Sequence, residues 1–247
     1  MVHPRPEPPR FPQIVRQGVD GCVVRFSDKL TEAGNRAALA FQGALAAGEV
    51  AGVEEAASAL ASVYVRFASI PALHEGVTAL ERLLAEEDFY AADLPGGRRL
   101  WTIPAVFGGA AGPQLDDVAA SVGVSRATAI ETLTNTRMRV LATGFAPGQP
   151  YLGELPEAWN LPRLGDLIDV PEGALVVAIR QVVLFANASP TGWQHVGQTA
   201  FRVYRPENTD RPFPLAPGDE VCLRGVEPGA LNGLREGDGG ATWEALP

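Results

Sequence analysis

Two stretches concentrate the side chains able to hold and transform a small molecule. Residues 139–154, RVLATGFAPGQPYLGE, run from a strand into a loop that carries Phe145, Gln149 and Tyr151 among Gly144, Pro147, Gly148 and Pro150. Residues 189–197, SPTGWQHVG, place Trp193, Gln194 and His195 directly after Gly192. Gly and Pro fix the path of such loops, and aromatic, amide and imidazole groups on fixed loops suit a ligand site better than a core. The two glutamines can orient a carbonyl or an amide N–H. An imidazole at 195 can move a proton near neutral pH, or can bond backbone on a strand edge. Tyr151 and Trp193 can wall a pocket, or plug the end of a barrel. Arg163, in NLPRL, can bind a carboxylate or phosphate through two parallel bonds, or can serve a surface ion pair. The two loops are expected to meet at one mouth of a C-terminal barrel, around a common hollow.

The rest of the composition narrows the chemistry. The 247 residues suit one large domain or two small ones. A net charge of −9 argues against nucleic acid or an anionic membrane as the main partner. Lys29 is the only lysine, which leaves little room for Schiff-base chemistry or a P-loop. Three histidines (His3, His74 and His195) and two widely spaced cysteines, Cys22 and Cys222, suggest neither a metal site nor a disulfide framework. No apolar run is long enough to span a membrane and the start, MVHPRPEPPRFP, has no signal-peptide core, so a cytoplasmic protein is expected.

The elements that must position these loops follow from periodicity and punctuation. Residues 1–13 are proline-rich and read as a mobile arm. From 14 to 95 the pattern is strand (Cys22–Phe26), helix from Glu32 capped by Thr31, strands Val53–Leu60 and Ser62–Phe67, then a helix opened by Pro71. That order is most of a ferredoxin-like α/β domain. From 98 to 226, after a strand at Arg99–Val106 and two short helices, short apolar runs alternate with Gly and Pro, Thr199–Tyr204 among them, as in a closed barrel or sandwich. The fold class is therefore α+β. Residues 227–247 read as an acidic, Gly-rich, loosely held tail.

Two further signals have ordinary readings. Leu115–Leu133 has the outline of a DNA-reading helix-turn-helix, but its first helix bears Asp116 and Asp117 and its second Glu131, which fits plain packing of two helices. The loop FGGAAGP before it could cradle an anion at a helix N-terminus, yet the same aspartates would repel phosphate, so turn and cap roles fit better.

The motif series WTIPAVFGGAAGPQLDDVA, RVLATGFAPGQPYLGEL, LPRL, VPEGALVVAI, SPTGWQHVGQT and LAPGDEV resembles the PxpB/KipI family, also called allophanate hydrolase subunit 1 or carboxyltransferase-domain subunit 1. The resemblance covers about residues 14–226 and is close from Trp101 on. It implies an N-terminal α/β domain and a cyclophilin-like β-barrel. It also implies a PxpC/KipA-type partner and, with a PxpA-type subunit, an ATP-dependent 5-oxoprolinase that opens a lactam to glutamate, with Mg accompanying the ATP. Such a subunit is not expected to be active alone. Fused relatives form the carboxyltransferase part of urea carboxylases, which leaves a urea-like substrate as an alternative. One relative is described as a histidine-kinase inhibitor, which leaves a silent regulatory or scaffold protein as another. For a lactam the residues suggest His195 as the proton carrier, with Gln149, Tyr151, Arg163, Trp193 and Gln194 binding substrate and Gly144, Gly148 and Gly192 supplying loop backbone.

The chain departs from the family pattern at several of these places. The usual PGF is Pro147–Gly148–Gln149, and PGGW is Pro190–Thr191–Gly192–Trp193. A histidine before the opening strand is Leu133, the second arginine of PRR is Leu164, and TGIYP becomes Val182–Ala186. Polar groups are lost and the pocket is reshaped.

Overall fold

Each helix in the N-terminal half starts where the sequence offers an oxygen to free amide groups. In the computed structural model, which describes residues 10–234 and 237–246, the Thr31 hydroxyl accepts from Gly34 N at 3.1 Å to open α1 (Glu32–Ala46). Ser69 accepts from Ala72 N at 3.2 Å to open α2 (Ile70–Glu86), with Pro71 in its first turn. The chain forms two units, residues 1–95 and 96–247.

In the first unit β1 (Gln13–Gln17), β2 (Gly21–Arg25), β3 (Val53–Ala59) and β4 (Ser62–Phe67) make an antiparallel sheet in the order β1-β2-β4-β3. The helices bury Phe41, Leu73 and Leu80 with Phe26, Phe67 and Phe89 of the same unit. A Cβ on Gly76 would lie 2.1 Å from the Phe67 ring, so α2 sits on the sheet through that glycine. The ferredoxin order differs in one respect. Among the described residues of this unit no strand follows α2, and the edge beside β2 is held by β1, within and beyond the stretch read as an arm. Residues 1–9 of that arm lie outside the described residues.

The second unit is organised by β5 (Arg99–Phe107), β6 (Met138–Thr143), β7 (Pro150–Gly153), β9 (Ala174–Ala178), β10 (Gln181–Leu184), β12 (Gln194–Gln198) and β13 (Glu220–Gly225). They pair as β6-β13-β5-β12-β9-β10-β7, and β7 pairs back to β6, which closes a seven-strand mixed barrel with one parallel pair, β5/β13. Ile103, Val140, Leu152, Leu175, Val177, Val182, Val196 and Val221 share one core. Onto that core α3 (Leu115–Val122) and α4 (Arg126–Asn135) press Leu115, Val118, Ala129 and Leu133. The helix pair is thus a packing element, and its Arg126 is paired with Asp116 at 3.3 Å. A two-stranded ribbon, β8 (Ile168–Val170) with β11 (Ser189–Thr191), accompanies the barrel. No described helix is long and apolar enough to cross a membrane.

Two expectations fail here. Residues 199–204 are not a strand: the Thr199 hydroxyl donates to Pro104 O at 2.7 Å and accepts from Phe201 N at 3.1 Å, taking over ladder positions, while Phe201 and Val203 enter the core irregularly. The tail is not loose where it is described. β14 (Thr242–Ala245) pairs with the edge of β5 from Arg99 to Thr102, where β12 does not reach, and Trp243 packs on Trp101 at 6.2 Å.

Asp219 ties three barrel strands at one point. Its carboxylate, almost fully buried, accepts from Arg99 N at 2.8 Å, Arg99 Nη2 at 2.7 Å and Ala216 N at 3.0 Å, and its carbonyl accepts from Val140 N at 2.7 Å. Asp219→Ala leaves the Arg99 charge buried between Trp101 and Trp243. It is expected to destabilise this unit by about 3 kcal/mol, read as a lower urea midpoint at unchanged slope; an unchanged midpoint would show that the pair is not structural.

Candidate functional site

Alternation along the barrel wall sorts the candidate side chains. On β7, Leu152 pairs with Val182 and belongs to the barrel core, whereas Tyr151 pairs with Val183 and belongs to a separate outer cluster with Val176, Phe185 and Trp193. On β12, Gln194 pairs with Val177 of the interior and His195 with Val176 of the outer cluster. Trp193 therefore faces outward, Gln194 inward and His195 outward again.

The hollow is on the outer wall of the barrel. A cleft of about 480 Å³ lies there, lined by Gln149, Tyr151, Arg163, Thr191, Gly192 and Trp193, with Phe145, Leu164, Leu167, Val183, Phe185 and Pro190 completing it. The barrel mouth expected from the sequence is not the location, because apolar side chains from both barrel and helices fill the inside. Gln149, Tyr151, Arg163, Trp193 and Gly192 come together as expected. Gln194, turned inward, and His195 do not line the cleft.

Two fastenings hold the cleft. The 160–167 segment is tied to the second loop by Leu164 N donating to Gly192 O at 2.6 Å, and by the β8/β11 pairing beyond it. A Cβ on Gly192 would sit 3.3 Å from Leu164 O, so a larger residue would press on this junction. The first loop is closed by Gly144 N to Gln149 O at 3.0 Å and Gln149 N to Ala146 O at 3.1 Å. Gly148 needs its hydrogen: φ is +70° and a Cβ would lie 2.4 Å from Val203 O. Gly144 has open space around it and contributes only backbone. Phe145 holds φ at +72° with its ring 77% exposed at the rim, a costly conformation for an aromatic residue.

Arg163 lies over Trp193, Cζ to ring centroid 5.4 Å, and Tyr151 meets the same indole edge-on at 6.1 Å. Among the described residues no carboxylate pairs with Arg163, so the surface ion pair considered for it is not formed. The guanidinium is a free, planar cation held by a π-face. Thr191 Oγ1 accepts from Trp193 N at 3.1 Å and sets the turn that aims the indole.

His195 is 5% exposed. Its Nε2 lies 3.0 Å from Gly197 O, and its backbone is clasped by Gln114, whose Oε1 accepts from His195 N at 2.5 Å and whose N donates to His195 O at 3.0 Å. Burial pushes its pKa below the ordinary value, opposed by the Gly197 carbonyl and the Gln198 side chain. Leu133 lies in the barrel core, away from the cleft lining. Leu167, 71% exposed at the rim, carries no distinguishing signal in the sequence, where it is one of several apolar residues in 161–168. Among the described residues no group of His, Cys, Asp and Glu is placed to hold a metal ion.

The family described as "Carboxyltransferase domain, subdomain C and D" matches residues 12–215. The B-type subunit of the 5-oxoprolinase of Escherichia coli O157:H7 is 40% identical over 124 residues, 50% of this chain and 56% of that protein. The B-type 5-oxoprolinase subunit of Bacillus subtilis strain 168 is 29% identical over 221 residues, 85% of this chain and 90% of that one. The solved structure of TTHA0988 aligns with a TM-score of 0.69 at 32% identity, over 85% of this chain and 40% of its own. The urea carboxylase of Kluyveromyces lactis shares the fold, with a TM-score of 0.65 at 17% identity over 94% of this chain and 24% of its own. The matched part is thus about half of the Escherichia coli relative and less than half of the TTHA0988 chain. With most of its length inside one family's pattern and its closed barrel shared by these structures, the chain belongs to the carboxyltransferase-domain family.

Proposed function

We propose that this chain is a B-type subunit of a 5-oxoprolinase-type hydrolase and that the outer cleft receives the substrate. The observation that carries the reading is Arg163: an unpaired guanidinium stacked on Trp193 in a cleft with an apolar floor. A small ring bearing a carboxylate fits that arrangement, its anion on the guanidinium and its body against Trp193, Tyr151 and Phe185. The names of the relatives supply the reaction class.

Among the described residues, neither the cleft nor the glycine-rich turn before α3 suits ATP. Among the described residues Arg163 is the one cation of the cleft lining, and no carboxylate stands there for a magnesium ion. The glycine-rich turn before α3 is followed by Asp116 and Asp117, and its neighbouring Arg126 is paired. A magnesium triphosphate does not fit these residues. Nucleotide binding is assigned in this proposal to the other subunits, of PxpC/KipA and PxpA type. In the same proposal the chain has no activity by itself.

One observation favours a second reading, a regulatory or scaffold member: among the described residues, Arg163 and Tyr151 are the only titratable side chains in the lining. Reconstitution separates the two. Mixed with PxpC/KipA-type and PxpA-type partners and ATP, the chain is expected to support 5-oxoproline-dependent glutamate release, and Arg163→Ala to raise KM by about 10- to 100-fold, the worth of a charge-assisted bond. Partner binding without turnover in any mixture would leave the regulatory reading.

His195 has a structural part in this proposal. The folded chain keeps it neutral because burial lowers its pKa from 6.5. Its contribution to stability is complete above that value and is lost as pH falls toward the lowered folded pKa, since the unfolded chain takes the proton first. In His195→Gln the fall in urea midpoint between about pH 7.5 and about pH 5.5 is expected to be smaller than in the native chain. An identical fall would show an imidazole that titrates freely.

A further inference from the structure

Gln149 is buried to 1% exposure, yet only half of its amide is used. Its Oε1 accepts from Ala186 N at 3.2 Å. A backbone N–H can only donate, so the atom facing Ala186 must be the oxygen and the amide cannot be flipped. The nitrogen is thereby directed away from Ala186. Among the described residues Nε2 makes no hydrogen bond, and Gln149 is one of the residues that line the cleft. The backbone of Gln149 is closed into its own loop, which fixes where the amide stands.

Beside the Tyr151 hydroxyl, the cleft therefore holds two further donors without partners among the described residues: the guanidinium of Arg163 at one place and a neutral N–H pair at another. A carboxylate answers the first. The second calls for an uncharged oxygen acceptor, and a ligand without one leaves a nearly buried donor unmet. We infer that the Gln149 amide nitrogen is a specificity-determining donor that selects small ring carboxylates carrying a second, neutral oxygen acceptor on the ring. This deepens the proposed function and rests on the cleft being a small-molecule site. It also gives a physical meaning to the amide that stands here in place of an aromatic residue.

The test compares two carbocyclic acids that differ only in that acceptor, 3-oxocyclopentane-1-carboxylate and cyclopentanecarboxylate. Neither has a lactam bond, so binding to the full chain is measured without turnover, by calorimetry. The keto acid is expected to bind about tenfold more tightly, the worth of one hydrogen bond. Gln149→Met should bring the ratio to about one by weakening the keto acid. Gln149→Leu, likewise without a donor or a charge, should also bring the ratio to about one, and an unchanged far-UV spectrum of either variant guards against a folding defect. Equal affinities in the native chain, failure of both acids to bind, or a ratio that survives both substitutions would each overturn the inference. Turnover in the reconstituted complex with no such ratio would sink the inference alone. A ratio that behaves as expected with no turnover in any mixture would sink the proposed function alone.

Discussion

The structure depends on the closing pair of the barrel, β6 with β7. Strand β7 is short, Pro150 to Gly153, and it is held on one side by β6 and on the other by β10. Once the ring is closed, each residue along it has only two choices, inside or outside. The inside is filled by branched apolar side chains and by the two helices. Everything able to meet a solute must therefore stand on the outer wall or on the loops that leave it. Tyr151 and Gln149 are placed by this rule, one residue and three residues from Leu152, which commits the strand by facing inward.

The cleft then needs a second wall, and the ribbon of β8 and β11 supplies it. Its register, Ser189 opposite Val170 and Thr191 opposite Ile168, brings the 160–167 segment beside Trp193. The Leu164–Gly192 bond completes the junction. Arg163 lies between these ties, and its stacking on the indole fixes the planar cation without consuming its charge. An ion pair would have held it as firmly and left nothing for a ligand.

Much of this was legible in the sequence. Gly148 and Gly192, the aromatic pair and Arg163 stand out in loop composition and motif order, and the short-strand pattern indicates a barrel. The side of the wall was not legible. Deciding that Gln194 faces in and Trp193 out takes the pairing register with β9, which no local pattern reports. The position of His195 is hidden for the same reason: composition shows an imidazole beside a tryptophan, but not that Gln114, far back in the chain, clasps its backbone. β1 and β14 were missed because edge strands bury little and so alternate weakly, as the exposed pattern of both confirms.

An outer-wall site has one physical deficit. Ring opening of a lactam needs a place where charge develops away from water, and this cleft is open on the side where Phe145 and Leu167 stand exposed. Among the described lining residues there is no carboxylate or imidazole to carry a proton, and none covers the rim. The groups present are those of recognition: a free cation, an oriented amide and aromatic faces. In the proposed reading, the division of labour follows from that inventory. This chain selects and orients the ring, and the chemistry requires whatever closes over the exposed rim.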